Sequence, residues 1–343
     1  MDLIKKDALM KSWNSKLISA GMTLFNANGD VDTASFGFQQ AMDRLTYIRK
    51  EVVEQKFYEI APADYIPVSV GEGAFSQSML TQLSFMTGGD FEQGWINEGT
   101  GNDRLAVAGA AVASKTIKIK NWAKSVSYTI FEIEQALRAN SWDYVEALHA
   151  ARKKEWDLGV QTIAFLGSLS DPNITGLYTL GNVNSDISTI TKTISSMSTA
   201  EFSTFVAAVL ESFRSNCNRT AYPTHFVIPE DDWNGLIAPL NTLYPTVSKL
   251  EYLKKAFSEA GLGKITLLPC VYGVPAYNAS RSINKHRYAM YRADKDSLRL
   301  DIPVDFTPTQ PNTWNNFQFQ DVAYGQLGGV NAYRPLEVEY FDF

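Results

Sequence analysis

The stretch from Ser114 to Ile130, SKTIKIKNWAKSVSYTI, alternates apolar and polar side chains with a period of two, the pattern of an extended strand with one covered face. Ile117 and Ile119 share one face, with Lys118 and Lys120 opposite. Further along, Trp122, Val126, Tyr128 and Ile130 take the apolar positions, so the parity slips by one residue. Such a slip marks a bulge or a bend. Upstream, TQLSFMT sets Leu83 and Phe85 against Gln82 and Ser84 in the same period. The two runs are expected to pair as one long two-stranded ribbon, which carries too little apolar surface to form a core alone.

Between the runs lies TGGDFEQGWINEGTGNDRL, Thr87 to Leu105. It holds five glycines but also Phe91, Trp95 and Ile96. Loops this long and flexible are ordinarily polar, so these apolar groups at a ribbon tip need a surface that the ribbon does not provide.

The 343 residues allow two or three compact units or one elaborated fold. A net charge of −6 argues against a general basic surface that wraps nucleic acid, though not against a protein that encloses DNA without gripping it. MDLIKKDALMKSW at the start lacks an apolar signal core. LAVAGAAVA is far shorter than the ~20 residues of a membrane span. Cytoplasmic synthesis is expected, with Cys217 and Cys270 reduced and buried.

Elsewhere the periodicity is helical or mixed. Ala41, Leu45, Ile48 and Val52 recur on one face of a helix from about Thr33 to Phe57. Trp142 to Leu166 reads as the longest helix, with Ser141 as N-cap, Gly167 as C-terminal stop, and Val145, Leu148, Trp156, Val160 and Ile163 on one face. Gly159 inside it costs about 1 kcal/mol relative to Ala and points to a close approach by another element. Ser198 and Glu201 form a capping box ahead of Phe202, Phe205, Val206, Val209, Leu210 and Phe213. The order helix, strand, helix, helix, strand over residues 187 to 273 reads as a compact α/β unit. The remainder, through RYAMYRA, SLRLDIPVDF, FQFQDVAYGQLGGV and LEVEYF, is β-rich.

Signs of chemistry are sparse. His149, His225 and His286 fall in different elements, and none has a metal-ligand neighbour at helical spacing. GEGAFS at Gly71 does not open a helix, as a phosphate cradle requires. SINK at Ser282 lacks the motifs that would support a Ser-x-x-Lys site. The carboxylate pairs Glu132/Glu134, Asp231/Asp232 and Asp301/Asp305 fit structural roles, and the cluster Arg152, Lys153 and Lys154 fits a solvated helix face. No catalytic residue, cofactor or metal site is expected.

The order of these parts is more specific than any one of them. EVVEQKFYEIAPADYIPV, SYTIFEIEQALRANSWDYVEALHAARKKEWDLGVQTIAFLG, ITGLYTLGNV and GGVNAYRPLEVEYFD resemble, in that order, the arm-to-ribbon entry, the spine helix, the following Gly-Leu turn and the closing strands of tailed-bacteriophage major capsid proteins with the Hong Kong 97-like fold. The resemblance implies an α+β chain with an N-terminal arm (1–67), an extended loop (68–126), a peripheral domain (127–182 and 286–343) and an inserted α/β axial domain (183–285). It implies a structural protein of the virion that assembles with copies of itself in hexamers and pentamers. The result would be an icosahedral shell around double-stranded DNA, bound without sequence specificity. It further implies portal and scaffolding proteins as partners, and decoration proteins in some relatives. The arm begins within some 30 residues of Met1, so a fused scaffolding segment is expected to be missing or supplied separately. Two other readings stay open: an encapsulin-type nanocompartment shell, and an enzyme built on the 187–273 unit.

On the capsid reading the tip acquires a surface. Ordering the tip's nineteen residues costs about 20 kcal/mol of backbone entropy at roughly 1 kcal/mol each. Offsetting that at ~25 cal/mol per Å² takes about 800 Å² of apolar burial. Phe91, Trp95, Ile96 and Leu105 supply most of this if they pack on a neighbouring subunit, and these four are the expected interface residues.

Overall fold

The computed structural model describes residues 56–343 except 88–108, 139–143, 242–244, 261–263 and 315–316, and Phe57–Phe343 form one unit. Strand β1 (Val68–Val70) leads through a turn to β2 (Ser78–Thr87), followed by β3 (Gly109–Lys118) and β4 (Lys120–Thr129). Helices α1 (Ile130–Arg138) and α2 (Tyr144–Leu166) come next, then β5 (Asn184–Asp186), α3 (Thr199–Asn216), β6 (His225–Pro229), α4 (Glu230–Gly235), α5 (Lys249–Ala260), β7 (Thr266–Cys270) and the short α6 (Pro275–Asn278). The chain closes with β8 (Arg287–Tyr291), β9 (Leu298–Ile302), β10 (Val304–Pro308), β11 (Asn312–Trp314), β12 (Gln318–Leu327), β13 (Gly329–Ala332) and β14 (Val338–Asp342).

Local chemistry sets the helix ends. At α1, Thr129 N donates to Glu132 Oε2 (2.8 Å) while Glu132 N donates to Thr129 Oγ1 (3.3 Å). The expected capping box of α3 is present in both directions between Ser198 and Glu201. α2 stops at Gly167, whose φ of +72° suits glycine. A Cβ there would lie 2.4 Å from the Ile174 carbonyl oxygen. Leu177 N and Tyr178 N return to the Ala164 and Phe165 carbonyls, satisfying acceptors that a helix end leaves open.

β2 and β3 pair antiparallel without interruption from Ser78↔Lys118 to Thr87↔Gly109. Here one expectation changes. β4 does not extend that ribbon; it pairs with β12 over ten registers, Lys120↔Leu327 to Thr129↔Gln318. The parity slip is therefore a change of partner, made at Ile119. β12 carries β10 and β11 in succession on its other edge. Ile130, expected on the covered face, opens α1 instead and is exposed.

The five-stranded sheet runs β5-β14-β8-β6-β7. Only β6 and β7 come from the 187–273 stretch, so that α/β unit is completed by strands before and after it. Both faces of the sheet are covered, and alternate residues enter different cores. Val227, Ala289, Tyr291, Val338 and Tyr340 join α2's Trp156, Val160 and Phe165. Phe226, Ile228, Tyr288, Met290 and Phe341 join α3's Phe202, Phe205 and Val209 and α5's Leu253 and Phe257. A third sheet, β1-β9-β13, packs Leu298, Leu300 and Val330 into the first core.

Two details of α2 depart from the sequence reading. Among the described residues a Cβ on Gly159 would meet open space, so none of them makes the expected close approach. Close approach occurs opposite instead, at Gly325 of β12, where a Cβ would come 2.3 Å from the Trp156 ring. Arg152 is not solvated; it is 3 % exposed and lies on the buried face.

Candidate assembly surfaces

The β2–β3 ribbon is tied down at its base. Ile117 and Ile119 are buried, and Ile119 N donates to the Gln77 carbonyl (3.0 Å). Lys115 Nζ donates to the Ala332 carbonyl of β13 (2.7 Å), where burial lowers its pKa against the attraction of Asp301. The turn before β2 is held by Phe75 N donating to Gln326 Oε1 (2.7 Å) and by an Arg299–Glu72 ion pair (3.2 Å). Among the described residues no third strand pairs with β2 or β3. At ~3.4 Å per residue the ribbon's ten registers span about 34 Å. Leu80 is 62 % exposed and shares its face with Lys118 across the ladder. The expected interface residues Phe91, Trp95, Ile96 and Leu105 lie in 88–108, outside the described residues; in sequence they fall between Thr87 and Gly109, the last registered pair.

A second surface is apolar. Phe131 and Phe317 are exposed and stack edge to face at 5.3 Å, with Ile130 beside them donating from N to the Phe317 carbonyl (3.2 Å). A third is an open cleft of about 370 Å³ beside α2, lined by Glu59, Ile60, Pro62, Trp156, Val160 and Asp305 among others. Gln161 holds its wall: it accepts from Ile60 N (3.1 Å) and donates to the Tyr58 carbonyl (3.0 Å) and Tyr272 Oη (2.9 Å).

Several of the residues considered for chemistry hold structural contacts. Among the described residues no three His, Cys, Asp or Glu side chains stand together as a metal site. His225 stacks on Tyr291 and His286 on Phe343, while His149 Nδ1 lies 3.1 Å from Arg152 Nη2. Cys217 and Cys270 are free and buried, and burial pushes the Cys270 thiol up to about 12, which leaves it an unreactive thiol at neutral pH. Glu132 caps α1. Asp301 is buried on Asn331 Nδ2 (3.0 Å) and Arg299, whereas Asp305 accepts from Phe306 N at the surface. Asp232, expected only to favour a helix start, also accepts from Ile194 N, Ser195 N and Tyr288 Oη at 2.8, 2.8 and 2.7 Å. It staples α4 to the segment before α3 and to β8. Nothing in EDDW distinguishes Asp232 from its neighbours, because the signal is burial.

A family profile described as "Major capsid protein" matches residues 93–343. The chain belongs to the major capsid protein family. No protein with a curated description matches it. Among solved structures, the capsid of Myoviridae phage XM1 is similar in fold, with a TM-score of 0.68 and 16 % identity over 88 % of this chain and 97 % of that one. The capsid of a native GTA particle matches with a TM-score of 0.54 and 12 % identity, covering 92 % and 99 % of the two chains. A structure from Mycobacterium phage Ogopogo matches at 0.53 and 10 %, covering 89 % and 98 %. The protein is thus a major capsid protein of mixed helix and sheet.

Proposed function

We propose that this major capsid protein builds a closed icosahedral shell around double-stranded DNA, with the Hong Kong 97-like division of the chain: arm 1–67, extended loop 68–126, peripheral domain 127–182 and 286–343, and axial domain 183–285. The observation that carries the reading is the ribbon. Its ten registers lack a third strand among the described residues, and its tip sequence holds Phe91, Trp95, Ile96 and Leu105. A strand pair of this kind is marginal alone and gains a covered face when it lies across another subunit. The body of the unit supports the same reading, since its two cores brace one sheet from both sides. The shell's cohesion comes from many repeated contacts, each modest.

Electron microscopy and light scattering of the purified chain test this. Closed shells of megadalton mass that protect DNA from nuclease are expected. A monomer or dimer that stays so under all assembly conditions contradicts it, and shells that hold protein cargo without DNA contradict the genome-enclosing part.

A further inference from the structure

Where β5 joins β14 at the edge of the five-stranded sheet, two carboxylates share one hydroxyl. Ser212 Oγ of α3 lies 3.0 Å from Asp186 Oδ2 and 3.0 Å from Glu339 Oε1. A serine hydroxyl has a single hydrogen to donate, so only one of these contacts is a hydrogen bond from Ser212. If both carboxylates are ionised, the other sets an anionic oxygen against a lone pair.

The remaining donors are divided unequally. Asp186 Oδ1 accepts from Ser188 N (2.7 Å), Ser188 Oγ (2.7 Å) and Thr189 N (3.2 Å), and Thr189 Oγ1 reaches Oδ2. Glu339 has Asn184 Nδ2 at 3.2 Å on Oε1, and its Oε2 is buried with no partner. Glu339 is 1 % exposed. Asp186 is therefore built to stay ionised, and Glu339 is built to hold a proton. With that proton on Oε1, the bonds run in one direction: Glu339 donates to Ser212, and Ser212 donates to Asp186.

Among the described residues no cation pairs with Glu339 from the elements packed around it. β5 brings Asp186 and Asn184. α3 brings Ser212, flanked by Glu211, which pairs with Arg219, and by Arg214, which lies over the Tyr222 ring. β8 opposes Glu339 with Met290. On its own strand Asp342 pairs with Arg287 (2.6 Å), and Glu337, just before the strand, pairs with Arg334 (3.3 Å) and with Arg292 (3.8 Å), just after β8.

We propose that Glu339, Ser212 and Asp186 form a proton-dependent clasp that fastens β5 and α3 to β14 while Glu339 is protonated and loosens when Glu339 ionises. In agreement, burial, with the nearby Asp186 charge, pushes Glu339 up to about 7 against the donors Ser212 and Asn184. Asp186 moves the other way: burial opposes its ionisation, and the Ser188 and Thr189 donors outweigh that and hold it well below the usual carboxylate range. The clasp sits where the chain after α2 first enters the five-stranded sheet, so a change of pH across neutrality acts on that entry point. The proposal concerns the folded unit and does not depend on shell geometry.

Hydrogen–deuterium exchange of the full chain at pH 5.5 and pH 8.5, corrected for the intrinsic pH dependence of exchange, tests it. Wild-type protection in peptides covering residues 184–190 is expected to fall at least threefold on raising the pH, while peptides in β6 and β7 stay unchanged. Glu339→Gln keeps a neutral donor at the site and is expected to abolish the difference. Equal wild-type protection at both pH values overturns the proposal, whether or not the variant folds. A pH difference that persists unchanged in E339Q also overturns it.

Discussion

Arg152, on the third turn of α2, donates from Nη2 to Asp321 Oδ2 of β12 at 2.6 Å, and both side chains are 2 % exposed. Nη1 donates to the Asp321 carbonyl at 3.2 Å. One guanidinium thus reads both the side chain and the main chain of the strand that carries β4 and β10. Taking the two charges out of water is costly, and the pair is held by its geometry and by the seating of Trp156 against Gly325 nearby.

Removing Arg152 leaves the buried Asp321 carboxylate with His149 Nδ1, 3.4 Å away, as its remaining ion-pair neighbour among the described residues. Arg152→Ala is expected to destabilise the unit by about 3–5 kcal/mol, read from the urea midpoint of the unassembled chain. Arg152→Met combined with Asp321→Leu is expected to recover most of that loss, because both desolvation penalties vanish together. A double variant as unstable as the single one contradicts this reading.

The glycines of α2 and its stop separate two effects. Gly159→Ala enters open space and is expected to stabilise the helix by about 1 kcal/mol, raising Tm by a few degrees. Gly167→Ala meets both a positive φ and the Ile174 carbonyl and is expected to lower stability by more than ~1 kcal/mol. Thermal melts of the two variants side by side check the opposite signs.

The buried Glu339 makes stability fall as pH rises through the acid-to-neutral range. Its folded-state pKa of about 7 exceeds the ordinary 4.5. Between these values the folded chain holds a proton that the unfolded chain has lost, so its contribution is complete below about 4.5 and falls as pH rises to about 7. At about 1.4 kcal/mol per pH unit the loss is on the order of 3 kcal/mol. His225 acts in the opposite sense: burial lowers its pKa below the ordinary 6.5, so its contribution grows as pH rises toward that value and is complete above it. Comparing wild type with E339Q in urea from pH 4.5 to 8 isolates the carboxylate. The two curves are expected to diverge across that window; parallel curves contradict the assignment.

The tip residues are expected to matter for assembly and not for folding. Phe91→Ala with Trp95→Ala is expected to leave the Tm of the unassembled chain within about 2 °C while lowering shell yield at least tenfold, measured by sedimentation. A large fall in Tm would place these rings in the core of their own subunit.

Strand content and helix ends were legible because they rest on local patterns: the alternation of Ile117 and Ile119 with Lys118 and Lys120, the Ser198–Glu201 box, and the stop at Gly167. Partner choice was not. The parity slip after Ile119 reads as a bend from one strand alone, while its meaning depends on β12, some 200 residues away in the chain. Buried charge was also hidden. Arg152 falls in a run of cations that reads as a wet face, and Glu339 alternates with Val338 and Tyr340 as a half-exposed strand would, although both faces of β14 are covered. Alternation reports the chemistry of a position, and only packing reports whether water reaches it.

The central claim is that the ribbon tip finds its resting place on an adjacent copy. Hydrogen–deuterium exchange of residues 87–105, compared between unassembled subunits and closed shells, tests it most directly. The account predicts that the largest gain in protection on assembly falls in that stretch. Equal protection in the two states would contradict it.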